Sequence, residues 1–565
     1  MTEWPIFGWV HPSALLAIGA LFVPFLTGRI QQTYLLMLPA AVLAVIASTP
    51  ISTFGTFSFL NLELTIARVD TLSLVFAHVF GIILVIGAIY ALHVKDTVQH
   101  VAALIYAASA LGVVFAGDLV TLYVCWEMMA LSSVLLIWCR RDDASWNAGW
   151  RYTLVHAAGG VVLLAGIIVY YQNTGTLAFE KLQPGGTGFY LILVGFMVNA
   201  AVPPLHAWLT DAYPQATVTG AIFLSALTTK TAVYTLLRGY PGTEILIWFG
   251  AAMAIYGVVY AVLSNDIRQL LAYHIVSQVG YMVAGVGMGT VMALNGTASH
   301  AFTHILYKAL LFMGAGAVIH MTGRSKLTEL GGIYRWMPIT FLLYMIGAFS
   351  ISAFPLFSGF VSKTMVVEAA AQDYRMVIWL MLTLASAGTF LHTGLKLPYF
   401  TFLGKDSGLR PKEAPLNMLV AMGLAAFLCI FIGVYPQWLY SMLPAPVDYN
   451  AYTADHILWE LQLLLFTGLG FFVLLKHVGG ESKISIDTDW IYRRMLPAII
   501  RRLGGIVGSV DRNIRQAFLG QIQRLVGMIF RHHGPEGVMA RATHAGNMVT
   551  WVILLLIVFL VLNFI

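Results

Sequence analysis

The chain has 565 residues, of which 59% are hydrophobic and only 10% are charged, whereas about 25% of the residues in soluble domains are charged. With a mean hydropathy of +0.82, this composition excludes a soluble globular enzyme, a disordered chain and a nucleic-acid-binding module. It leaves a protein that crosses a membrane many times. The net charge of +6 is local, because residues 481–541 hold ten Lys/Arg and five Asp/Glu.

Sixteen apolar runs are each long enough to predict a membrane span. They cover residues 12–28, 33–50, 72–92, 99–117, 119–138, 149–171, 187–207, 216–238, 243–264, 269–291, 299–321, 338–372, 376–403, 416–438, 457–476 and 547–565. The first run lacks the basic flank and cleavage site of a signal peptide, so we expect it to be retained.

Two of these spans contain sequences that interrupt a helix. The seventh ends in AVPPLHAW (201–208) and the twelfth carries AFPLFSG (353–359). Proline removes a backbone hydrogen bond and clashes with the preceding turn, and the freed carbonyls must find partners or line a wet cavity. Interrupted spans in both halves of a chain predict an ion or substrate site near the membrane midplane.

The distribution of basic residues predicts the orientation in a cell (inner) membrane. Twelve Lys/Arg lie in or beside loops that follow odd-numbered spans, against four after even-numbered spans. The positive-inside rule therefore places the odd loops in the cytoplasm and the N-terminus outside. Residues 490–532 then form a cytoplasmic-side amphipathic helix with a basic face. It would rest on anionic lipids or act as a strut along neighbouring helices or subunits.

The most informative residues are the ionisable ones inside the spans, since each costs about 2.5–3.5 kcal/mol at the bilayer centre and usually faces protein or water. A buried carboxylate followed by several buried lysines predicts an electrostatically coupled proton pathway. Its members are Glu127, Lys230, His304, Lys308 and Lys363. Each has a structural alternative, such as a static ion pair for Glu127. His300 and His304 are spaced to bind a metal or haem, but we favour hydrogen-bonded or relay roles.

No cofactor is expected in this chain. Cys125, Cys139 and Cys429 are scattered and form no CxxC or zinc-ligand spacing, and Cys-ligated iron–sulfur clusters need four thiolates. The sequence also lacks GxxxxGK[ST] and GxGxxG, the motifs of nucleotide sites. A transporter subunit is therefore favoured over an enzyme, although the chain could belong to a redox complex whose soluble partners hold the metals.

Four passages resemble the antiporter-like membrane subunits shared by Mrp-type cation/proton antiporters, complex I and membrane-bound hydrogenases. They are VTLYVCWEMM (120–129), PPLHAWLTDAY through TTKTAVY (203–234), NDIRQLLAYHIVSQVGYM with HILYKALLF (265–282, 304–312), and KLTELGGIYRWMP with FPLFSGFVSK (326–338, 354–363). The resemblance covers about residues 60–440, and SGFVSK is most similar to the Mrp D-type subunit. The matching positions are Glu127, Lys230, His304, Lys308 and Lys363.

The resemblance implies an all-α polytopic membrane protein. About 14 core helices would form two inverted repeats, each with a broken helix, and a lateral amphipathic helix and a last transmembrane helix would follow. The corresponding division is N-terminal helices (1–98), first half-channel repeat (99–264), second half-channel repeat (265–440), fifteenth helix (441–480), basic amphipathic helix (481–546) and final span (547–565). The long C-terminal extension resembles the distal L-type subunit of complex I.

One position departs from the family pattern. The seventh-helix lysine that pairs with the glutamate is replaced by Asn199, which cannot carry a proton as a cation. Either water bridges this step, or His206 or His156 substitutes, or the first half-channel does not work. Lys396 is a further possible pathway residue, although it lies near the membrane interface and could extend its amine to the headgroups.

These observations leave several functions open. The leading hypothesis is an ion-translocating subunit of a multi-subunit monovalent cation (Na⁺/K⁺)/proton antiporter, with other membrane subunits as partners. The alternatives are the proton-pumping membrane arm of a redox complex and a partly degenerate structural copy of such a subunit. A stand-alone solute transporter is less favoured, because such transporters seldom place four basic positions along one axis.

Overall fold

The computed structural model describes residues 9–60, 62–479, 487–541 and 545–564. Among them are thirteen helical stretches long and apolar enough to cross a membrane, together with three shorter apolar helices. The fold is therefore that of a multi-pass, predominantly helical membrane protein, as the composition predicts. The chain divides into two compact units, residues 1–489 and 490–565.

Helices in the first part of the larger unit follow the predicted spans closely. They are α1 (Pro12–Phe22), α2 (Gly28–Ser48), α3 (Thr71–Tyr90), α4 (Thr97–Phe115), α5 (Leu119–Trp138), α6 (Asp143–Thr174), α7 (Gly186–Asn199), α8 (Ala207–Ala212), α9 (Gly220–Ala226) and α10 (Thr228–Gly239). The rest of the unit contains α11 (Glu244–Leu263), α12 (Ile267–Met288), α13 (Val291–Thr322), α14 (Pro338–Ile351), α15 (Ser358–Gln372), α16 (Met376–Thr389), α17 (Leu416–Val434), α18 (Gln437–Tyr440), α19 (Ala454–Val473) and α20 (Leu475–Val478).

A β-hairpin between α2 and α3 was not predicted. Strands β1 (Ser52–Phe59) and β2 (Leu62–Val69) pair antiparallel, with Thr56 opposite Thr65. The hairpin docks on the start of α5, where the Asp118 carboxylate accepts a hydrogen bond from Thr65 N at 2.8 Å. Asp118 also accepts from Val120 N and Thr121 N, so one side chain both caps the helix and holds the hairpin.

Both predicted helix interruptions are present. The seventh span breaks between α7 and α8, and the twelfth between α14 and α15. Shortly after each first half ends, an alanine takes a positive φ, 55° at Ala201 and 57° at Ala353. L-residues adopt this conformation rarely, so the backbone is irregular at equivalent places in the two segments.

Two further irregularities were not predicted; the first contains no proline, and in the second Pro398 lies between two irregular turns. The eighth span is interrupted at Leu227, between α9 and α10. The thirteenth continues beyond α16 as wide π-helical turns over Phe390–Lys396 and Tyr399–Leu403. Such turns are frequent at functional sites because they free backbone groups from the regular ladder.

The helices that carry ionisable residues lie at the centre of the larger unit. Every residue of α12 except Gln269 is buried, as are most of α13, all of α9 and all of α10 except Arg238. Outer helices such as α11 and α19 are partly exposed. Because apolar outer helices surround these central side chains, their polar groups depend on hydrogen-bond partners in the interior of the unit.

The smaller unit contains the C-terminal helices. A π-turn (Ile491–Met495) leads into α21 (Leu496–His533), and α22 (Ala545–Phe564) is the last apolar helix. The predicted amphipathic helix is thus confirmed. Pro497 lies in its first turn, where its missing N–H costs nothing. Within it, Arg515 Nε lies 2.9 Å from Asp511 Oδ2, one turn away.

Candidate functional site: a buried row of ionisable side chains

Glu127 is held in the first half of the larger unit by a close contact between α5 and α6. Its Oε1 is buried and has no hydrogen-bond partner among the described residues. A Cβ atom added to Gly160 would lie 2.0 Å from Oε1, so the glycine makes the space that the carboxylate occupies. His156 lies four residues before Gly160, on the same face of α6.

Asn199 is the last residue of α7 and is buried, with 1% of its surface exposed. It lies beside His156, whose ring packs 4.1 Å from Tyr152 and 4.5 Å from Trp208 between centroids. The structure therefore brings Glu127, His156 and Asn199 to neighbouring positions along α6. His206, the other candidate substitute, lies beyond the break and points to a different group, Asp487.

Lys230 is completely buried just after the break in the eighth span. Its ammonium donates to the Ser225 carbonyl at 2.6 Å and to Thr229 Oγ1 at 3.0 Å. The interruption at Leu227 places the Ser225 carbonyl within reach of this side chain. The irregular backbone thus solvates an amine that lies away from lipid and water.

The central helix α13 carries His304 and Lys308, both completely buried. Lys308 Nζ lies 3.2 Å from His274 Nδ1, and His274 Nε2 lies 3.2 Å from Thr389 Oγ1. His304 has no hydrogen-bond partner on either ring nitrogen within the described part of the chain. Both His304 and Lys308 are close enough to Lys230 for electrostatic repulsion, which links the two halves.

Lys363 lies on α15, immediately after the second break, and is also completely buried. It donates to Ser386 Oγ at 2.8 Å and to the carbonyl of Ile351, the last residue of α14, at 3.3 Å. Ser386 is three residues before Thr389, so one face of α16 contacts both Lys363 and His274. The hydroxyls on this face of α16 therefore connect the Lys308–His274 contact with Lys363 at the second break.

The sequence allowed the Lys396 amine to extend to the lipid headgroups, but in the structure this side chain is buried. It is 1% exposed and donates to the carbonyls of Val262 and Ser264, at the end of α11. Since the carbonyl end of a helix carries partial negative charge, this contact stabilises the Lys396 ammonium. A place for Lys396 in the proton pathway stays a prediction.

Several buried polar residues were missed by the sequence analysis. His274 and His392, with ring centroids 4.7 Å apart, extend the row beyond Lys308. Glu460 on α19 is buried and within electrostatic range of Lys363. The signal for all three was available, because each is an ionisable residue inside an apolar run. Asp487 had no such signal, because it lies in a polar segment outside the spans.

Within the described residues, no three His, Cys, Asp or Glu side chains are grouped so that they could hold a metal ion. What the arrangement offers is a series of exchangeable protons on amines, imidazoles and hydroxyls. Enclosed helices, two broken segments and this series together define the class: a polytopic membrane protein with a row of polar side chains in its interior.

Comparison with known proteins places the chain in a family. Residues 116–390 match the family described as "NADH:quinone oxidoreductase/Mrp antiporter, TM". The chain belongs to this antiporter-like family, as the four sequence passages suggest. The matched region begins just before α5 and ends after α16, so it includes Glu127 and the whole row to Lys363.

Relatives within the family have different activities. The chain is 30% identical over 431 residues to hydrogenase-4 component B of Escherichia coli, covering 68% of this chain and 64% of the relative. It is 30% identical over 506 residues to a Na⁺/H⁺ antiporter subunit of Alkalihalophilus pseudofirmus, covering 76% and 63%. The chain therefore spans less than two thirds of the length of either relative.

A solved structure shares the fold over nearly the whole length. A chain of the membrane-bound sulfane sulfur reductase, an archaeal respiratory membrane complex, superposes with a TM-score of 0.71 at 23% sequence identity. The match covers 98% of this chain and 99% of that chain. At this identity the likeness concerns the fold alone.

Proposed function

We propose that the chain is an ion-translocating subunit of a multi-subunit monovalent cation/proton antiporter, and that protons move along its buried row. The row runs from the partly buried Glu127 through the completely buried Lys230, His304 and Lys308 to Lys363. The observation that carries the proposal is that all four basic members are completely buried. Burying one lysine is expensive, and a static scaffold has no need for three along one axis.

The contacts support movement of protons rather than static pairing. Lys308 faces a neutral or cationic partner, His274, and the carboxylate oxygen Oε1 of Glu127 is unpartnered among the described residues. Repulsion between neighbouring basic groups makes the protonation of one depend on the next, which is how a buried row transmits charge. The path taken by Na⁺ or K⁺ lies in this subunit or in a neighbouring subunit.

We further propose that the subunit lies in the cell membrane with its N-terminus outside and α21 on the cytoplasmic side. The bias of Lys/Arg toward odd-numbered loops supports this orientation. The arginines of α21 would then meet anionic lipid headgroups, and other membrane subunits of the complex would be its protein partners. The domain division given above is part of the same proposal.

The proposal is tested by removing the proton carried by Glu127. In everted vesicles that contain the complete complex, Glu127→Gln should abolish Na⁺- or K⁺-driven dissipation of a preformed pH gradient. Gly160→Ala should give a partial loss, because it displaces the carboxylate oxygen and leaves its charge in place. Glu63→Gln, at an exposed site on β2, is the matched control. Full activity of Glu127→Gln would refute the role of this residue.

A second candidate function is the proton-pumping membrane arm of a redox complex. The observation that favours it is the likeness in fold to a respiratory-complex subunit over 98% of the chain, α21 and α22 included. The same buried row would serve this function, with electron transfer in partner subunits as the driving force.

A further inference from the structure

Asp487 reaches from the segment before α21 into the interior of the larger unit. Its side chain is 3% exposed and accepts hydrogen bonds from Tyr273 OH at 2.6 Å and from Tyr256 OH. His206 Nε2 lies 3.2 Å from the same carboxylate, and the histidine is completely buried. Three elements therefore converge on one carboxylate: the segment after the α7 break, α11 and α12.

The surroundings of Asp487 favour its ionised form. Burial alone raises the pKa of this carboxyl, but the hydrogen bonds and charge of His206 and the two tyrosine hydroxyls outweigh burial and bring the pKa below its usual range. The other titratable groups that face the pair are Tyr256, Tyr260, Tyr273 and Asp489.

The contact with Asp487 orients the His206 ring. One ring nitrogen faces the carboxylate, and the other, Nδ1, has no hydrogen-bond partner among the described residues. A carboxylate on one nitrogen fixes the ring orientation and tautomer and stabilises the imidazolium. The second nitrogen is then free to exchange a proton with water or a neighbouring group.

We infer that Asp487 is a positioning residue that holds His206 as a proton carrier. His206 would serve the first half of the pathway, where Asn199 stands at the position of the family's lysine. The carboxylate comes from the segment that leads into α21, so the relay depends on where that segment docks. This inference rests on the proposed function, since it names a further step of the same pathway. In this step a proton moves between His206 and a neighbouring group or water, and no other covalent bond forms or breaks.

The contact itself is tested without transport, by a double-mutant cycle on the melting temperature of the purified complex. If the pair exists, Asp487→Asn and His206→Gln should each lower the melting temperature, and the double variant should lower it by less than the sum. Additive shifts would show that the two side chains do not interact and would overturn the inference even if the subunit translocates ions.

The role is tested by the pH profile of transport in everted vesicles. Asp487→Asn should lower the rate by about 10- to 100-fold, the range for carboxylates that orient histidines in metal sites. It should also move the alkaline limb of the profile to lower pH, because the imidazolium loses its counter-ion. Asp487→Glu should restore both, and Asp511→Asn on the exposed face of α21 should change neither.

A merely structural Asp487 would lower the rate at every pH without moving the profile, and this result would also overturn the inference. The melting-temperature cycle and the Glu127→Gln transport assay distinguish failure of this inference from failure of the proposed function. If Glu127→Gln retains full transport while the melting cycle remains non-additive, the proposed pathway fails but the contact stands.

Discussion

At the scale of single residues, three buried lysines are stabilised by the same kind of hydrogen bond. Lys230, Lys363 and Lys396 each donate to a backbone carbonyl at the end or interruption of a helix: Ser225, Ile351 and Ser264. These carbonyls lack regular helical partners and carry the partial negative charge of a helix end. Lys308 is the exception, since it lies in the middle of α13 and contacts His274 instead. Helix interruptions therefore determine where a buried lysine can be accommodated.

The residue at position 199 should control the charge of the first half. In Asn199→Lys, a cation beside His156 and near Glu127 should favour the ionised carboxylate, because an opposite charge stabilises it. Infrared difference spectroscopy should then show a weaker protonated-carboxyl band at neutral pH, assigned by its absence in Glu127→Gln. Asn199→Gln, which adds length without charge, should leave the band in place. An unchanged band in Asn199→Lys would contradict this interpretation of the substitution.

At the scale of elements, the broken helices depend on close backbone approaches as well as on proline. Gly359 is the second residue of α15, and a Cβ there would lie 1.8 Å from the Ser350 carbonyl oxygen. No side chain fits this space, so the distance between α14 and α15 depends on the glycine. That distance in turn places Lys363 beside the carbonyl of Ile351.

Gly359→Ala should therefore separate α14 from α15 and destabilise the protein by about 1–3 kcal/mol, the usual cost of overpacking. Thermal unfolding of the purified complex and the vesicle assay should both report a loss. Gly423→Ala in α17 is the matched control, because its Cβ would meet nothing within 4 Å. There the helix should be unchanged or stabilised by up to about 1 kcal/mol. Equal effects at the two glycines would contradict this account of the break.

At the scale of the whole molecule, the two units differ in how they bury apolar surface. The larger unit encloses its polar row within many helices, whereas none of the described residues in α21 or α22 is buried within the chain. Exposed apolar helices of this length need lipid or other subunits to cover them. This difference is consistent with one component of a larger membrane assembly.

Copurification should identify that assembly. The tagged full chain, extracted in a mild detergent, should bring down small membrane subunits without visible-range iron–sulfur absorbance if the complex is an antiporter. Iron–sulfur or nickel–iron partners would instead establish the redox alternative, and proton movement should then require an electron donor. Removing residues 490–565 should reduce recovery of the partners, and full recovery would show that α21 and α22 are not needed for assembly.

The amino-acid sequence alone was enough to predict the class of the protein, the sixteen apolar segments, the two proline-marked breaks and about half of the buried ionisable residues. These features follow from hydropathy over about 20 residues and from the local chemistry of proline, both of which can be read along the chain. Only the tertiary structure decided which groups meet. His274 beside Lys308, the Ser225 carbonyl at Lys230 and Asp487 beside His206 join residues by long-range packing or by an unmarked helix interruption. No local pattern encodes those distances, because they arise from how enclosed helices satisfy one another's polar groups.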